Sequence, residues 1–377
     1  MPSTSLLMIG AGPYGLSLAA RAIERGIPTT VLGAPMGFWR ENMPTGMFLR
    51  SDASWHLDAS SVHTFRAYLE DRGLQAEEVD PIPIGVVLDY TDWFIERKHI
   101  VVQDDRVTSF ARANGGYDVS CASGRRLTAE RVVAAPGIAR FAVVPEWARA
   151  LPPETTSHTV DLVKFDELAG KRVLIVGGRQ SAYEWAALIA EHGAERVDIV
   201  HRHDTPRFEF VSWKFVDALV DNTLAHRGWW RRLPEAERTA TQRRFWEAGR
   251  LTLEPWLVPR LDRPNVQRWP NHQVAHALAE GNSRVKVRLQ DGARLEVDRI
   301  VLATGYRSDV ARVPYLAGVL DHIHVTDGHP DLDESFQSSL PGLYMTGFVA
   351  TRDFGPFFGF MRAAPASARL IVEDLLR

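Results

Sequence analysis

Two copies of one short pattern constrain this 377-residue chain more than any other feature. In each copy an apolar run leads into a glycine-rich turn, and the turn leads into a helical pattern. The first turn is Gly10-Ala11-Gly12-Pro13-Tyr14-Gly15, and the second begins at Gly177. A buried strand, a Gly-x-Gly-x-x-Gly turn and a helix are the parts of a dinucleotide-binding unit. The repeat predicts an α/β chain with two nested Rossmann-like dinucleotide-binding domains.

The glycines of the first turn have different tasks. Gly10 makes the tight turn, Gly12 lets the backbone approach a pyrophosphate, and Gly15 allows close packing of helix and strand. The helix N-terminus adds amide donors and a partial positive charge. At the end of the next predicted strand, residues 27–32, such folds usually place an acid, but Gly33 or Ala34 stands there. Either another residue holds the ribose or the register of this strand differs.

The second turn departs from the pattern at Arg179, where the backbone should touch the pyrophosphate. This side chain either adds a cation to the phosphates or fills the site and prevents binding. Further along, Arg202 ends the next predicted strand and follows His201. Two such side chains suit the 2′-phosphate of NADPH better than the free hydroxyl of NADH. The alternative is that Arg202 is simply solvated.

Composition excludes several classes of function. The net charge of −3 gives no reason to expect nucleic acid or an anionic membrane as partner. The single cysteine, Cys121, provides no dithiol pair and fits a reducing compartment. No apolar run reaches the length of about 18 residues that a membrane helix needs, and no basic-then-apolar leader precedes the first strand. We expect a cytoplasmic enzyme, with its oligomeric state, including a homo-oligomer, left open.

Two further segments resemble a known family. Gly37-Phe38-Trp39-Arg40 and Met47-Phe48-Leu49-Arg50-Ser51, taken with the first turn, are similar to class B flavoprotein monooxygenases. That family contains N-hydroxylating, flavin-containing and Baeyer–Villiger monooxygenases. The resemblance implies FAD in the first domain, NADPH in the second, and molecular oxygen and a small organic molecule as substrates. It implies transfer of one oxygen atom through a flavin hydroperoxide.

The resemblance and the two turns together assign residues to each cofactor. For FAD they are Gly10, Gly12, Pro13, Tyr14, Gly15, Trp39, Arg40, Leu49, Arg50, Ser51, Thr304, Gly305, Gly347, Gly355 and Pro356. For NADPH they are Gly177, Arg179, Gln180, Ser181 and Arg202. Without the resemblance, the sequence is equally consistent with Trp39 as an aromatic residue of the core and with Arg50 as a cation on the surface.

Three residues are candidates for the catalytic step. We expect Arg50, Asp52 and Gln180 to line the space above the flavin, with Arg50 stabilising the peroxide anion. Asp52 would order that anion or orient the substrate. The alternative for Asp52 is a helix N-cap before Ala53. No metal-binding cluster is expected, since no grouping of metal-ligating residues stands out.

The chain order predicts the domain boundaries. Residues 1–150 and 300–377 form the FAD domain, and residues 151–299 form the NAD(P)-binding-like domain. Antiparallel β insertions follow each parallel unit, and a helical insertion occupies about 207–280. Two other interpretations stay open: an FAD enzyme that has lost direct use of NADPH, because of Arg179, and a non-catalytic flavoprotein.

Overall fold

Two parallel sheets with the same strand layout form the framework of the molecule. The computed structural model describes residues 2–113, 115–281 and 284–377. Within these ranges the strands are β1 Ser3–Ile9, β2 Thr29–Leu32, β3 Phe48–Leu49, β4 Ile82–Pro83, β5 Val102–Gln103, β6 Val107–Ala113, β7 Gly116–Cys121, β8 Arg126–Ala134, β9 Thr156–His158, β10 Arg172–Val176, β11 Arg196–His201, β12 Arg207–Phe208, β13 Thr252–Leu253, β14 Val266–Pro270, β15 Val274–Glu280, β16 Arg284–Leu289, β17 Arg294–Val297, β18 Arg299–Leu302, β19 Val325–Thr326, β20 His329–Pro330 and β21 Leu343–Met345.

The helices connect these strands and cover their faces. They are α1 Pro13–Glu24, α2 Gly37–Glu41, α3 Phe65–Asp71, α4 Ile84–Arg97, α5 Gln180–Glu191, α6 Phe215–Ala225, α7 Trp229–Arg232, α8 Glu235–Arg250, α9 Val258–Leu261, α10 Thr351–Phe354 and α11 Ala364–Leu375. None of the helices in the described ranges is long and apolar enough to cross a membrane.

The first sheet has the parallel order β5-β2-β1-β8, with β21 parallel to β8. The second sheet has the parallel order β14-β11-β10-β18-β9. In both sheets the strand before the glycine turn is central, and its apolar run is fully buried, as at Leu6, Leu7 and Met8. Strands covered on both faces need such continuous apolar sequence. The prediction of two nested Rossmann-like domains is confirmed.

Antiparallel strands extend each half, as expected. In the first half β6 and β7 pair with each other and with β8. In the second half β15, β16 and β17 form a separate three-stranded sheet. Its buried residues pack on one face of the second parallel sheet, next to Leu174 and Ile300.

Two details differ from the boundaries predicted from sequence. The helical part of the insertion ends at Leu261, and residues 266–270 and 274–280 form strands β14 and β15 instead. Strand β18, which contains position 300, pairs with β10 of the second sheet, so the chain returns to the first half only after Leu302. These three strands lie at places where neighbouring strands, and not the local sequence, provide the pairing partner.

The insertion helices pack on the first half of the molecule. Trp213, Val216, Trp230 and Phe245 share one buried cluster with Phe357 and the rest of the first core. Helix α6 is also tied to the first half by an ion pair of 2.5 Å between Arg362 Nε and Asp217 Oδ1. The insertion therefore belongs to the second domain in sequence, but its helices pack on the first domain.

Candidate functional site

The first glycine turn has the geometry that its sequence predicts. Gly10 has a φ of +106°, and a Cβ atom at Gly15 would lie 1.8 Å from the Gly10 carbonyl oxygen. A Cβ atom at Gly12 would have nothing within 4 Å among the described residues. Gly10 and Gly15 are therefore required by the fold, whereas Gly12 is required by nothing inside the described chain. Open space in front of a helix N-terminus is what a pyrophosphate needs.

The missing acid after β2 has a structural explanation. Strand β2 ends at Leu32, so the predicted register is correct, and Gly33 follows with a φ of +136°. A Cβ atom there would lie 3.2 Å from the amide nitrogen of Ala11. A side chain at this position would press on the glycine turn, so an acid cannot stand at Gly33 without displacing it.

A loop near the C-terminus meets the first turn through Tyr14. The Tyr14 hydroxyl donates to the carbonyl oxygens of Phe358 and Phe360, the latter at 2.8 Å. The Tyr14 ring also lies 3.5 Å from where a Cβ atom of Gly347 would be. The neighbouring Thr346 is buried, and its hydroxyl has no hydrogen-bond partner within the described ranges. An orphaned hydroxyl beside the glycine turn fits a bound cofactor, because buried polar groups normally have partners.

Other predicted FAD residues lie around the same turn and loop. Gly355 has a φ of +100°, and Pro356 begins the short 3₁₀ helix Pro356–Gly359. Trp39 packs partly against the core, and Arg40 pairs with Asp92 at 2.6 Å. Pro13 is the first residue of α1, where a missing N–H costs nothing.

Thr304 and Gly305 lie where the chain crosses between the domains. The Thr304 hydroxyl donates to the carbonyl oxygen of Val143, and the Val143 amide donates to the carbonyl oxygen of Gly305 at 2.9 Å. Both residues thus contact Val143, which lies in the other connection between the domains, between β8 and β9.

The second glycine turn repeats the backbone of the first and differs in its side chain. Gly177 has a φ of +147°. Arg179, the residue before α5, has φ −113° and ψ −178°, close to the −81° and −171° of Gly12 before α1. An arginine adopts this extended conformation without strain. Its guanidinium carbon lies 4.5 Å from the ring centroid of Trp246 in helix α8.

The end of β11 separates two residues that the sequence placed together. Arg202 is exposed, whereas His201 is 4% exposed and hydrogen-bonds Tyr183 through Nε2 at 2.9 Å and His203 O through Nδ1 at 2.8 Å. The expectation that His201 joins Arg202 in holding a phosphate is therefore wrong. Burial lowers the pKa of His201, which also argues against a cationic ring. Ser181 stays exposed in the first turn of α5.

A cavity of about 520 Å³ lies between the first domain and the insertion. Its first-domain wall contains Leu49, Arg50, Ser51 and Asp52 in sequence. Its insertion wall contains residues 210–214 and Glu254, Pro255 and Trp256. A space of this size suits a small organic molecule.

Arg50 is the most constrained residue of this cavity. Its Nε donates to Glu254 Oε1 at 2.7 Å, with the two side chains only 14% and 7% exposed. Its Nη1 donates to the carbonyl oxygen of Gly249 at 3.1 Å, and its Nη2 to Thr252 Oγ1 at 3.4 Å. The guanidinium also lies over Trp213, 5.4 Å from the ring centroid. Arg50 is thus no surface cation, and its charge is balanced by a carboxylate that sequence reasoning missed.

Asp52 lines the cavity as an ionised carboxylate. Its Oδ1 accepts from the Ser54 amide at 2.8 Å. Burial alone would raise the pKa of Asp52, but the Ser54 hydrogen bonds and the charges of Lys214 and Arg66 hold it below its ordinary value. No helix follows, because residues 53–54 form a turn, so the N-cap alternative is wrong.

Gln180 reaches the cavity indirectly. Its Oε1 accepts from the Glu254 amide at 3.1 Å, and its buried Nε2 has no partner in the described part of the chain. One turn later on α5, Glu184 is fully buried and accepts from the Phe48 amide at 2.9 Å. Burial raises the pKa of Glu184 to about 8. Two of the three catalytic candidates, Arg50 and Gln180, are therefore joined through Glu254, whereas Asp52 lines the same cavity without contacting it.

Comparison with known proteins agrees with this architecture. Over 363 residues the chain is 26% identical to the FAD-dependent urate hydroxylase of Xanthomonas campestris pv. campestris, covering 83% of this chain and 72% of that protein. It is also 26% identical to the probable indole-3-pyruvate monooxygenase YUCCA8 of Arabidopsis thaliana, covering 91% and 84% of the two chains.

A solved structure and a family model extend the likeness. The ornithine N-hydroxylase of Kutzneria sp. 744, solved with reduced FAD, NADP⁺ and L-ornithine, superposes with a TM-score of 0.80 at 18% identity, covering 100% of this chain and 99% of that one. At this identity the superposition shows the fold. The model of the pyridine nucleotide-disulphide oxidoreductases matches residues 7–215, which is more than half of the chain. The protein is therefore a member of the pyridine nucleotide-disulphide oxidoreductase family.

Proposed function

We propose that this protein is an FAD- and NADPH-dependent monooxygenase that transfers one oxygen atom from O₂ to a small organic molecule. N-oxygenation, S-oxygenation and Baeyer–Villiger insertion all fit this description. The observation that carries the proposal is the position of the 520 Å³ cavity. Its walls come from the first dinucleotide domain and the insertion, and its residue Glu254 hydrogen-bonds the first residue of α5 in the second domain.

The residues of the first domain fit FAD. Gly12 leaves open space at the start of α1, and Thr346 offers a buried hydroxyl that has no partner within the described ranges. Gly10, Gly12, Pro13, Tyr14 and Gly15 would hold the pyrophosphate end. When bound, FAD supplies the two-electron chemistry and the activation of oxygen, and the protein supplies position and electrostatics.

The predicted flavin-side residues fit the same placement. Leu49, Arg50 and Ser51 form one cavity wall, with Gly347 and Gly355 at the loop that Tyr14 contacts. Trp39 and Arg40 lie on α2, and Thr304 and Gly305 lie in the connection that follows β18. We propose that the cavity-wall residues and the two loop glycines face the flavin ring. The residues on α2 and in the connection after β18 would support the ring from the side.

The cavity residues divide the remaining work. Trp213, Ile82 and Leu49 are buried residues of the lining and give it an apolar part. Asp52 is ionised and would accept a hydrogen bond from a substrate nitrogen. Arg50 is held in one orientation by Glu254, and we propose that its remaining N–H groups donate to oxygen as negative charge develops there.

Two observations separate this proposal from related activities. The only cysteine of the sequence, Cys121, is buried, so the dithiol that a disulphide reductase uses is missing. The named relatives hydroxylate or oxygenate small molecules. From urate, indole-3-pyruvate and ornithine we infer only the approximate size of the substrate.

A second candidate function rests on Arg179. Its side chain stands where a dinucleotide backbone contact belongs, and it is stacked on Trp246. If this arrangement blocks the nucleotide, the protein is an FAD-dependent oxidoreductase that receives electrons from another source. Gly177, Gln180, Ser181 and Arg202 would then have lost their part in nucleotide binding.

Anaerobic reduction of the purified flavoprotein tests both candidates. NADPH and then NADH are added while the flavin absorbance near about 450 nm is followed. Fast bleaching by NADPH supports the monooxygenase. Isotopically heavy oxygen is then admitted with panels of amines, thioethers and ketones, and label in the product identifies the chemistry. Bleaching by dithionite alone favours the second candidate, and a protein that retains no flavin contradicts both.

A further inference from the structure

A second cavity, of about 830 Å³, lies where the two domains are connected. One wall comes from the segment 139–151, in the connection between β8 and β9. Another wall comes from residues 156–161, which include β9, and Leu302 at the end of β18 and Arg312 also line the cavity. None of these residues lines the 520 Å³ cavity, so the two cavities are separate places on the molecule.

The 830 Å³ cavity touches both domains. Its lining residue Arg312 lies two positions after Val310, and Val310 and Phe141 belong to the core of the first domain. Its lining residues Ala148 and Leu302 belong to one of the cores of the second domain. A molecule bound in this cavity therefore contacts segments that are anchored in different domains.

Hydrogen bonds pair the two connections beside this cavity. The Val143 amide donates to the Gly305 carbonyl oxygen at 2.9 Å, and the Thr304 hydroxyl donates to the Val143 carbonyl oxygen. Arg312 Nη1 donates to the Ala142 carbonyl oxygen at 3.1 Å. Hinge motions of domains are absorbed by a few connecting residues of this kind. A ligand at this place therefore restrains the motion of one domain relative to the other.

A large part of the lining is apolar. Val144 is 38% exposed, so an apolar ligand that covers it removes apolar area from water. Leu302 and Ala148 are buried and continue the apolar surface inward. The apolar side chains of the lining include Ala142, Val144, Ala148, Leu151, Val160 and Leu302. The volume is within the range of pockets that bind small molecules.

The charged part of the lining is mainly cationic. Arg140, Arg149 and Arg312 stand against one carboxylate, that of Asp161. Arg149 pairs with Glu146 at 2.7 Å, but within the described ranges neither Arg140 nor Arg312 forms an ion pair. The cavity therefore has an excess of positive charge that the chain itself leaves unbalanced.

Neutral polar groups complete the wall formed by β9. His158 is 3% exposed, its Nδ1 accepts from the Val160 amide at 3.1 Å, and burial lowers its pKa to about 4, so it adds no charge. The Thr156 hydroxyl is shielded from water and has no hydrogen-bond partner within the described ranges. Because buried polar groups normally have partners, this wall has a place for an acceptor oxygen.

We propose that the 830 Å³ cavity binds a small carboxylate with an apolar body, of the arylalkanoate or medium-chain fatty acid class, and that this ligand restrains the connections between the domains. The apolar lining covers the body of the ligand, and Arg140 and Arg312 donate to its carboxylate. The inference goes beyond the proposed function and does not depend on it. None of the residues predicted to bind a cofactor or to take part in catalysis lines this cavity.

Calorimetric titration of the flavin-loaded protein tests the inference. The probes are benzoate, phenylacetate, phenylbutyrate and octanoate, and phenylbutanol is the uncharged match of phenylbutyrate. We expect at least one of the acids to bind with a Kd of about 1 mM or lower. Phenylbutanol should bind at least about tenfold more weakly than phenylbutyrate, because it lacks the charge-assisted hydrogen bonds.

Variants locate the bound acid. Arg140→Gln and Arg312→Gln should each weaken its binding by about five- to tenfold, because each removes a cationic donor. The control is Arg126→Gln, at an exposed arginine of β8 outside the cavity, which should leave binding unchanged. If Arg312→Gln unfolds because it loses the bond to Ala142, Arg140→Gln still tests the site.

A substitution in the exposed apolar part of the lining gives an independent test. Val144→Glu places a carboxylate in the cavity and should abolish binding of the acids by repulsion and loss of apolar contact. Val325→Glu is the matched control, since Val325 is a 42% exposed valine of β19 that does not line the cavity, and it should change nothing.

Amide hydrogen exchange measures the proposed restraint without any turnover. The bound acid should slow exchange of residues 139–144 and 303–307 in the wild type and leave it unchanged in Val144→Glu. The inference is overturned if none of the acids binds, if phenylbutanol binds as tightly as phenylbutyrate, or if exchange of these residues does not respond. It is also overturned if Lys214→Gln, in the lining of the 520 Å³ cavity, weakens binding while Arg140→Gln does not.

Discussion

Arg50 of the first domain and Glu254 of the insertion form an ion pair of 2.7 Å, although 204 residues separate them along the chain. The pair lies at the inner wall of the cavity and is largely shielded from water. Glu254 also contacts Gln180 through its backbone. The candidate site is thus assembled from three parts of the chain, and one residue, Glu254, contacts the other two through its carboxylate and its backbone amide.

Replacing Glu254 by glutamine should destabilise the protein strongly. The change leaves the Arg50 guanidinium buried without its counter-charge, which we expect to cost about 2–4 kcal/mol of unfolding free energy. Urea denaturation measures this loss. The exposed pair of Arg149 and Glu146, at 2.7 Å, supplies the control, because Glu146→Gln should leave stability within error. Equal effects of the two substitutions would show that the buried pair is unimportant.

The substitution Gly12→Ala should separate cofactor binding from folding. Alanine accepts a φ of −81°, and the methyl group meets no atom of the described chain within 4 Å. We expect an unchanged melting temperature of the flavin-free protein and at least about tenfold weaker FAD binding, because the methyl group obstructs the pyrophosphate. Gly85→Ala, also in open space, is the control. A normal flavin content in Gly12→Ala would contradict the assignment of the FAD pyrophosphate to this turn.

Glu184 should make stability fall as pH rises. Its folded pKa of about 8 lies above the unfolded value of about 4.3, so the folded state keeps a proton that the unfolded state releases between these values. The wild type should therefore lose unfolding free energy relative to Glu184→Gln across this window, and the difference should level off above the folded pKa. Urea denaturation from about pH 5 to about pH 9 measures it.

The result that tests the prediction is how the unfolding free energy changes with pH in each protein. A constant difference in unfolding free energy between the two proteins does not test it. Glutamine still offers an oxygen to the Phe48 amide but does not titrate. The exposed Glu195 is the control, and Glu195→Gln should give a curve parallel to the wild type. A parallel curve for Glu184→Gln as well would contradict a buried, protonated carboxyl at this position.

Arg202 should decide between the two nicotinamide cofactors. It is exposed at the end of β11, where the 2′-phosphate of NADPH is expected. Arg202→Ala should weaken NADP⁺ binding by about tenfold and leave NAD⁺ binding unchanged, because only the first carries the phosphate. Calorimetry with both nucleotides measures this. Arg207→Ala, at another exposed arginine, should alter neither, and equal losses for both nucleotides would rule out phosphate recognition.

The parts of the site that follow one another along the chain could be predicted. The turns at Gly10 and Gly177 depend on a strand, a few glycines and a helix in immediate succession, and both form as expected. His201 was misassigned because nothing in its sequence surroundings reveals that Tyr183, 18 residues earlier, covers its ring. Likewise, no local pattern indicated that residues 266–280 would pair as strands.

The sequence alone determined the two-domain framework, since the apolar runs and glycine turns encode each unit through short-range geometry. From the sequence we also predict that Arg50, Asp52, Gln180 and Arg179 lie near cofactor sites. Only the tertiary structure decided what their side chains do. Glu254 neutralises Arg50 and Trp246 engages Arg179 because the insertion folds back over the first domain. Contacts of that kind depend on which surfaces bury each other, and burial is a property of the whole fold.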